Sequence, residues 1–145
     1  MFSVFLAAAV TGVLFAGAPA RVFLNLPSFL VVVVIALALS LCSFSPAEIA
    51  RYFAISFRQE GVSAQEIHGG VVFFRALQWY LIVAGLIGFL IGLITILAGL
   101  QSASSIGSGT ALSLLTLLYS LILAAGVAVP FRTGLERRNK PTDRS

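Results

Sequence analysis

Between Arg75 and Arg132 the chain carries no charged residue. Residues 76–131 leave room for two membrane-crossing helices of about 20 apolar residues each, with a turn between them. The turn falls at Gln101 to Gly109, where the residues are small, polar or apolar. The expectation is a helical hairpin in lipid, with spans at about 76–100 and 110–130.

Small and hydroxyl residues fall on faces of that hairpin. Along its first helix Gly85, Gly88, Gly92, Thr95 and Gly99 recur at three- and four-residue steps, and along its second Thr110, Ser113, Thr116, Ser120 and Ala124 do the same. Such steps place residues along one side of a helix. Lipid supplies no hydrophobic drive to bring helices together, so close backbone approach through small residues and hydroxyl hydrogen bonds supplies much of the association. Both faces are therefore expected to pack against protein. Thr95, Ser113, Thr116 and Ser120 are the candidates for facing an ion path or a partner, with Pro130 at the end of the last span. Gly85, Gly88, Gly92 and Gly99 are the candidates for helix packing. A plainer reading stays open for the hydroxyls, which in membrane helices often bond their own preceding carbonyls.

Composition agrees with the hairpin. Of 145 residues 59% are hydrophobic and 10% charged, and the mean hydropathy is +1.07. Soluble domains carry roughly 25% charged residues, so the chain reads as one integral membrane domain. The net charge of +4 does not point to nucleic acid, because the cations sit at span ends rather than on a free basic face. Cys42 is the one cysteine and lies in an apolar run, which excludes an intrachain disulfide and metal-ligand spacing. No nucleophile–base pair, metal cluster or phosphate loop is present, so neither an enzyme nor a cofactor is expected.

In chain order, the apolar run at about 2–19 reads as a retained first span. Met1-Phe2-Ser3 lacks the positive charge that a cleaved signal peptide carries. A second span follows at about 25–44. Residues 45–75 form a short juxtamembrane segment, opened by the capping box Ser45-Pro46-Ala47-Glu48 and amphipathic thereafter. A second box runs from Ser63 to Glu66, His68 is expected in solvent, and Gly69-Gly70 are expected to loosen the chain before the third span. Residues 131–145 form a basic tail suited to anionic lipid. With four spans, Arg51, Arg58 and Arg75 fall on the same side as the arginines and lysine of the tail, and the positive-inside rule makes that side cytoplasmic. The expected fold is an all-α integral membrane protein of four transmembrane helices, with a short amphipathic cytoplasmic segment between helices 2 and 3 and both termini inside.

Specific motifs then carry a resemblance. The hairpin reads GLIGFLIGLITIL, then SSIG, then ALSLLTLLYSLILAAGVAVPFRTGLERR, and upstream stands FLNLPSFL. In order and spacing these resemble the MotA/TolQ/ExbB ion-channel superfamily, most closely a compact MotA-like subunit, over most of the membrane part. The resemblance implies a subunit in the bacterial inner membrane that forms a homopentamer around a dimer of single-span proteins similar to MotB, TolR or ExbD. It further implies that passage of H+ or Na+ is converted into mechanical work. The partner of such subunits carries an essential aspartate. That agrees with the absence of Asp, Glu, Lys, Arg or His from every expected span, since ion relays require an ionisable group.

Some positions depart from the family pattern. Phe89 stands where the family has threonine, Ile82 where it has proline, Leu117 where it has a pore threonine, and Val34-Ile35 where it has a glycine pair. Pro130 matches the family proline. The large cytoplasmic domain of MotA has no counterpart, so a flagellar role is not expected. The alternative function is a non-conducting membrane scaffold that keeps the ring and its partner.

Overall fold

The computed structural model describes residues 25–58, 61–99 and 103–139, and the expected first span at 2–19 lies outside them. The described residues form helices joined by short turns. Three stretches are long and apolar enough to cross a membrane: Leu26–Ser43, Ala64–Ala98 and Ile106–Arg138.

Helix α1 spans Leu26–Ser43. Asn25 caps it by accepting from the Ser28 amide at 3.0 Å, and Pro27 occupies the first turn, where a missing N–H costs nothing. The Asn25 amide donates to the Tyr119 hydroxyl at 2.8 Å, and the Phe29 and Tyr119 rings meet edge to face. The start of α1 is thereby fixed to the last span. Phe44 and Ser45 are extended and turn the chain sharply into α2, Pro46–Phe57, whose capping box forms as expected. Gly61, at φ 75°, supplies the left-handed turn that leads to α3.

Helix α3 is continuous from Ala64 to Ala98, 35 residues or about 52 Å at 1.5 Å per residue. A hydrocarbon core of about 30 Å cannot contain it, so its first three turns stand outside. Gly69 and Gly70 do not loosen the chain; they lie within this helix. Their role is close approach. A Cβ at Gly69 would lie 2.8 Å from the Tyr52 hydroxyl, and one at Gly70 would lie 2.8 Å from Leu135 Cδ1. The helix is bare at these positions so that α2 and the end of the chain can press against it.

Helix α4, Ala103–Leu123, runs antiparallel to α3 and passes through a π turn at Ala124–Ala128 into α5, Val129–Asn139. Pro130 therefore does not end the last helix. Thr116, Ser120, Ala124 and Ala128 are buried at successive four-residue steps. On a regular helix each such step overshoots a full turn by about 40°, so three steps would swing the stripe away from α3. The wider π turn absorbs that drift, and the Val129 amide bonds the Ala124 carbonyl five residues back. It also accommodates Pro130, whose ring would clash with the carbonyl four residues earlier in a regular helix.

The bundle has two kinds of interior. At the charged end Phe73, Phe74 and Leu135 are fully buried, with Phe44, Tyr52, Phe53 and Phe131 packed around them. Along the uncharged part small residues point inward, and large aliphatics such as Leu37, Leu90, Ile94 and Leu118 point out.

Candidate functional site

The glycine face of α3 and the hydroxyl face of α4 meet each other. Gly85 lies against Ser120, Gly88 against Thr116 and Gly92 against Ser113, in the register of an antiparallel pair. A Cβ added at Gly88 would lie 2.5 Å from Thr116 Cγ2, and one at Gly85 or Gly92 would overlap the facing serine hydroxyl. Beyond this seam Gly109 continues the same register and accepts Ile96 from α3. No side chain larger than hydrogen fits on the α3 side at its present distance.

Each hydroxyl in the seam donates to its own helix. Ser113 bonds the Gly109 carbonyl at 3.0 Å, Thr116 that of Leu112 at 3.1 Å, and Ser120 that of Leu117 at 2.8 Å. Thr95, exposed on α3, bonds Ile91 at 2.8 Å in the same way. These bonds use the hydroxyl protons and leave oxygen lone pairs as acceptors, since a hydroxyl has one donor and two acceptor positions. Of the sequence-predicted residues, Gly85, Gly88, Gly92, Ser113, Thr116 and Ser120 come together in one seam. Gly99 does not join them: it is exposed and caps α3, its amide donating to the Thr95 and Ile96 carbonyls. Pro130 stands apart, beyond the π turn.

The seam opens sideways. At the uncharged end a groove of about 340 Å³ lies between the helices, lined by Ser28 and Val31 of α1, Gly92 and Thr95 of α3, and Ser113 and Thr116 of α4. Five of the residues predicted from sequence, Gly88, Gly92, Thr95, Ser113 and Thr116, thus share one cleft with the start of α1.

At the other end of the seam is a polar cluster that the sequence reading passed over. Arg132 Nη1 donates to Gln78 Oε1 at 3.0 Å, and its Nε stands 3.2 Å from Glu136 Oε1 as a charge contact without hydrogen-bond alignment. Arg75 approaches the same carboxylate at 3.8 Å. The four-residue spacing of Arg132 and Glu136 was the available signal, masked by reading the segment as a tail. Arg75 and Arg132, which bound the charge-free stretch, are thereby joined through one carboxylate. Among the described residues no group of three His, Cys, Asp or Glu side chains is placed to hold a metal.

The hairpin of glycine against hydroxyl, free of charge and closed by arginines, lies within the part of the chain that matches a known family. The sequence pattern of the MotA/TolQ/ExbB proton channel family matches residues 45–144, more than half of the chain. The chain belongs to this family. Among curated proteins, motility protein A of Aquifex aeolicus (strain VF5) is 45% identical to it over 53 residues, which are 37% of this chain and 21% of that protein. The match spans about a fifth of that relative's length. The chain is a multi-pass bacterial membrane protein, and the family to which it belongs is one of channel-type membrane proteins.

Proposed function

We propose that this chain is the ring-forming subunit of an ion-driven assembly in the inner membrane, with both termini cytoplasmic. Five copies surround a dimer of single-span proteins similar to MotB, TolR or ExbD, and passage of H+ or Na+ is converted into motion of one against the other. The observation that carries this reading is the hairpin that holds small and hydroxyl residues but no Asp, Glu, Lys, Arg or His between Arg75 and Arg132. An ion relay through the membrane needs a titratable group, and here a second chain has to bring it. The hydroxyl lone pairs of Thr95, Ser113 and Thr116 in the open groove supply acceptors beside which such a helix can pass.

A second reading, a scaffold that keeps the ring and partner without conducting, is favoured by two observations. Phe89 and Leu117 replace hydroxyls of the family pattern, and the remaining seam hydroxyls are buried and bonded within their own helix.

Native mass spectrometry of the complex purified from its own host is the test. Five copies with two of a single-span protein bearing a membrane carboxylate support the assembly; any other composition overturns it. Ion flux through that complex then separates the two readings. Thr116→Val with Ser120→Ala, chosen to add no bulk against Gly85, should abolish flux in a conductor, whereas a scaffold shows no flux to lose.

A further inference from the structure

We propose that the end of α2 together with the end of α5 forms a docking surface for anionic lipid headgroups, which holds the extramembrane part of the subunit flat on the bilayer. This surface lies outside the hairpin and does not depend on ion passage.

Helix α2 has two apolar faces. One carries Ile49, Tyr52, Phe53 and Ile55 into the aromatic cluster. The other is exposed among the described residues: Ala47, Ala50, Ala54 and Phe57, at steps of three and four, form a line that ends where the Phe57 ring meets Phe131, centroid to centroid at 5.3 Å. Phe57 is nonetheless 73% exposed, the highest value among the large exposed hydrophobics of the described residues. Phe131 is the last residue of the charge-free stretch, so Phe57 stands at the level where the hydrocarbon ends.

Cations gather beside that ring. Arg138 of α5 donates to the Arg58 carbonyl at 2.6 Å and reaches the Ile55 carbonyl at 3.5 Å, so its guanidinium closes the C-terminus of α2, with Arg58 and Arg137 next to this contact along the two backbones. All three residues are exposed and none forms a close ion pair among the described residues, although the charge of Arg58 helps to lower the pKa of Glu66. An apolar stripe ending in an aromatic ring, next to clustered arginines, is the pattern by which helices lie in a membrane interface. The sign of the charge selects anionic headgroups, such as those bearing phosphatidylglycerol, over zwitterionic ones.

The test uses the full chain with Phe57→Trp and Trp79→Phe, so that one tryptophan reports on this spot. The chain is reconstituted in bilayers containing brominated phosphatidylglycerol or brominated phosphatidylcholine. Quenching by both lipids gives their relative association constant at the site. Phosphatidylglycerol should be favoured by fivefold or more, since each cation near the surface contributes a factor of about five. Arg58→Gln and Arg137→Gln should each lower that preference about fivefold, and about 0.5 M salt, where the Debye length falls below about 5 Å, should flatten it. Arg51→Gln, whose guanidinium faces Glu66 at 3.7 Å, should change it least. A preference near one in the parent overturns the proposal. So does a tryptophan that neither lipid quenches, which would mean that another protein chain covers the patch. Arg138 is left unchanged throughout because it holds α2 in place, and circular dichroism of each variant confirms that the helices are retained.

Discussion

The two ends of this bundle are built by opposite rules. Around Phe73 and Phe74 the interior is filled by large rings in edge-to-face and stacked contact. Along the α3–α4 seam the most deeply buried residues are Ser113, Ser120 and Ala84. Where water bathes the helices, removing aromatic area from solvent drives association, and bulk inside is an advantage. Where lipid bathes them, a leucine is as comfortable outside as in, and contact improves only as the backbones approach. One continuous helix, α3, changes from the first rule to the second within about three turns, from Phe74 to Gly85.

Removing bulk should therefore hurt most at the charged end. Phe73→Ala empties the centre of the aromatic cluster and should destabilise the fold by about 3–5 kcal/mol, the usual range for a buried phenylalanine. Thermal unfolding in detergent, with exchange of the α2 amides as a local readout, would show it. A loss under about 1 kcal/mol, comparable with a surface change, would mean that the aromatic contacts add little and that the two ends are less different than their composition suggests.

Adding bulk should hurt most in the seam. Gly85→Val drives a side chain into Ser120 and should cost about 1–3 kcal/mol through forced separation of α3 and α4. The exchange Gly85→Ser with Ser120→Gly keeps the total volume and should recover most of that loss. Ser113→Ala, by contrast, removes only a hydroxyl that bonds its own helix and should cost less than about 1 kcal/mol. If the exchange fails to recover stability while the single valine is tolerated, the seam is not held by close approach.

Much of this was legible in the sequence, and what was not has definite causes. The facing of Gly85, Gly88 and Gly92 followed from period alone, because small residues on a lipid-facing helix have no other use. Which residues would oppose them depended on the length of the turn, and the register of Ser113, Thr116 and Ser120 against them emerged only in three dimensions. Gly69-Gly70 misled because a glycine pair weakens a helix locally, whereas here the tertiary contacts of Tyr52 and Leu135 require bare backbone. Pro130 misled for a related reason. Proline breaks a regular helix, and only the four-residue steps from Thr116 to Ala128 pointed to a π turn that could carry the chain past it.

That last point can be separated experimentally. If packing against α3 sets the π turn, Pro130→Ala should leave it in place and change stability by less than about 1 kcal/mol, largely through the unfolded chain. Cross-linking of Gly70→Cys with Leu135→Cys, in a Cys42→Ala background, should proceed as well as in the proline parent. If the helix instead anneals to regular bonding, α5 turns by about 100° relative to α4 and that cross-link is lost while the amides of the α3–α4 seam keep their protection from exchange. Proline, not packing, would then be what joins the two halves.

The smallest expected effect contrasts the halves by charge. Glu48 is held below the usual carboxylate range, first by the Ser45 backbone amide and then by the Ser45 hydroxyl, which donate to it at 2.8 and 2.9 Å. A carboxylate whose pKa is lower in the folded state stabilises the fold above its unfolded pKa, and that contribution disappears as pH falls through the folded value. Acidification from neutral pH should therefore fray the first turn of α2, seen as faster exchange of its amides. Glu48→Gln should remove the pH dependence. Ser45→Ala should retain most of it, because the backbone amide is the larger cause. Over the same range the α3–α4 seam, without a titratable side chain, should exchange at a rate that follows only the chemical pH dependence of amides. Equal acid sensitivity in both places would show that the seam is coupled to the charged end rather than standing on its own packing.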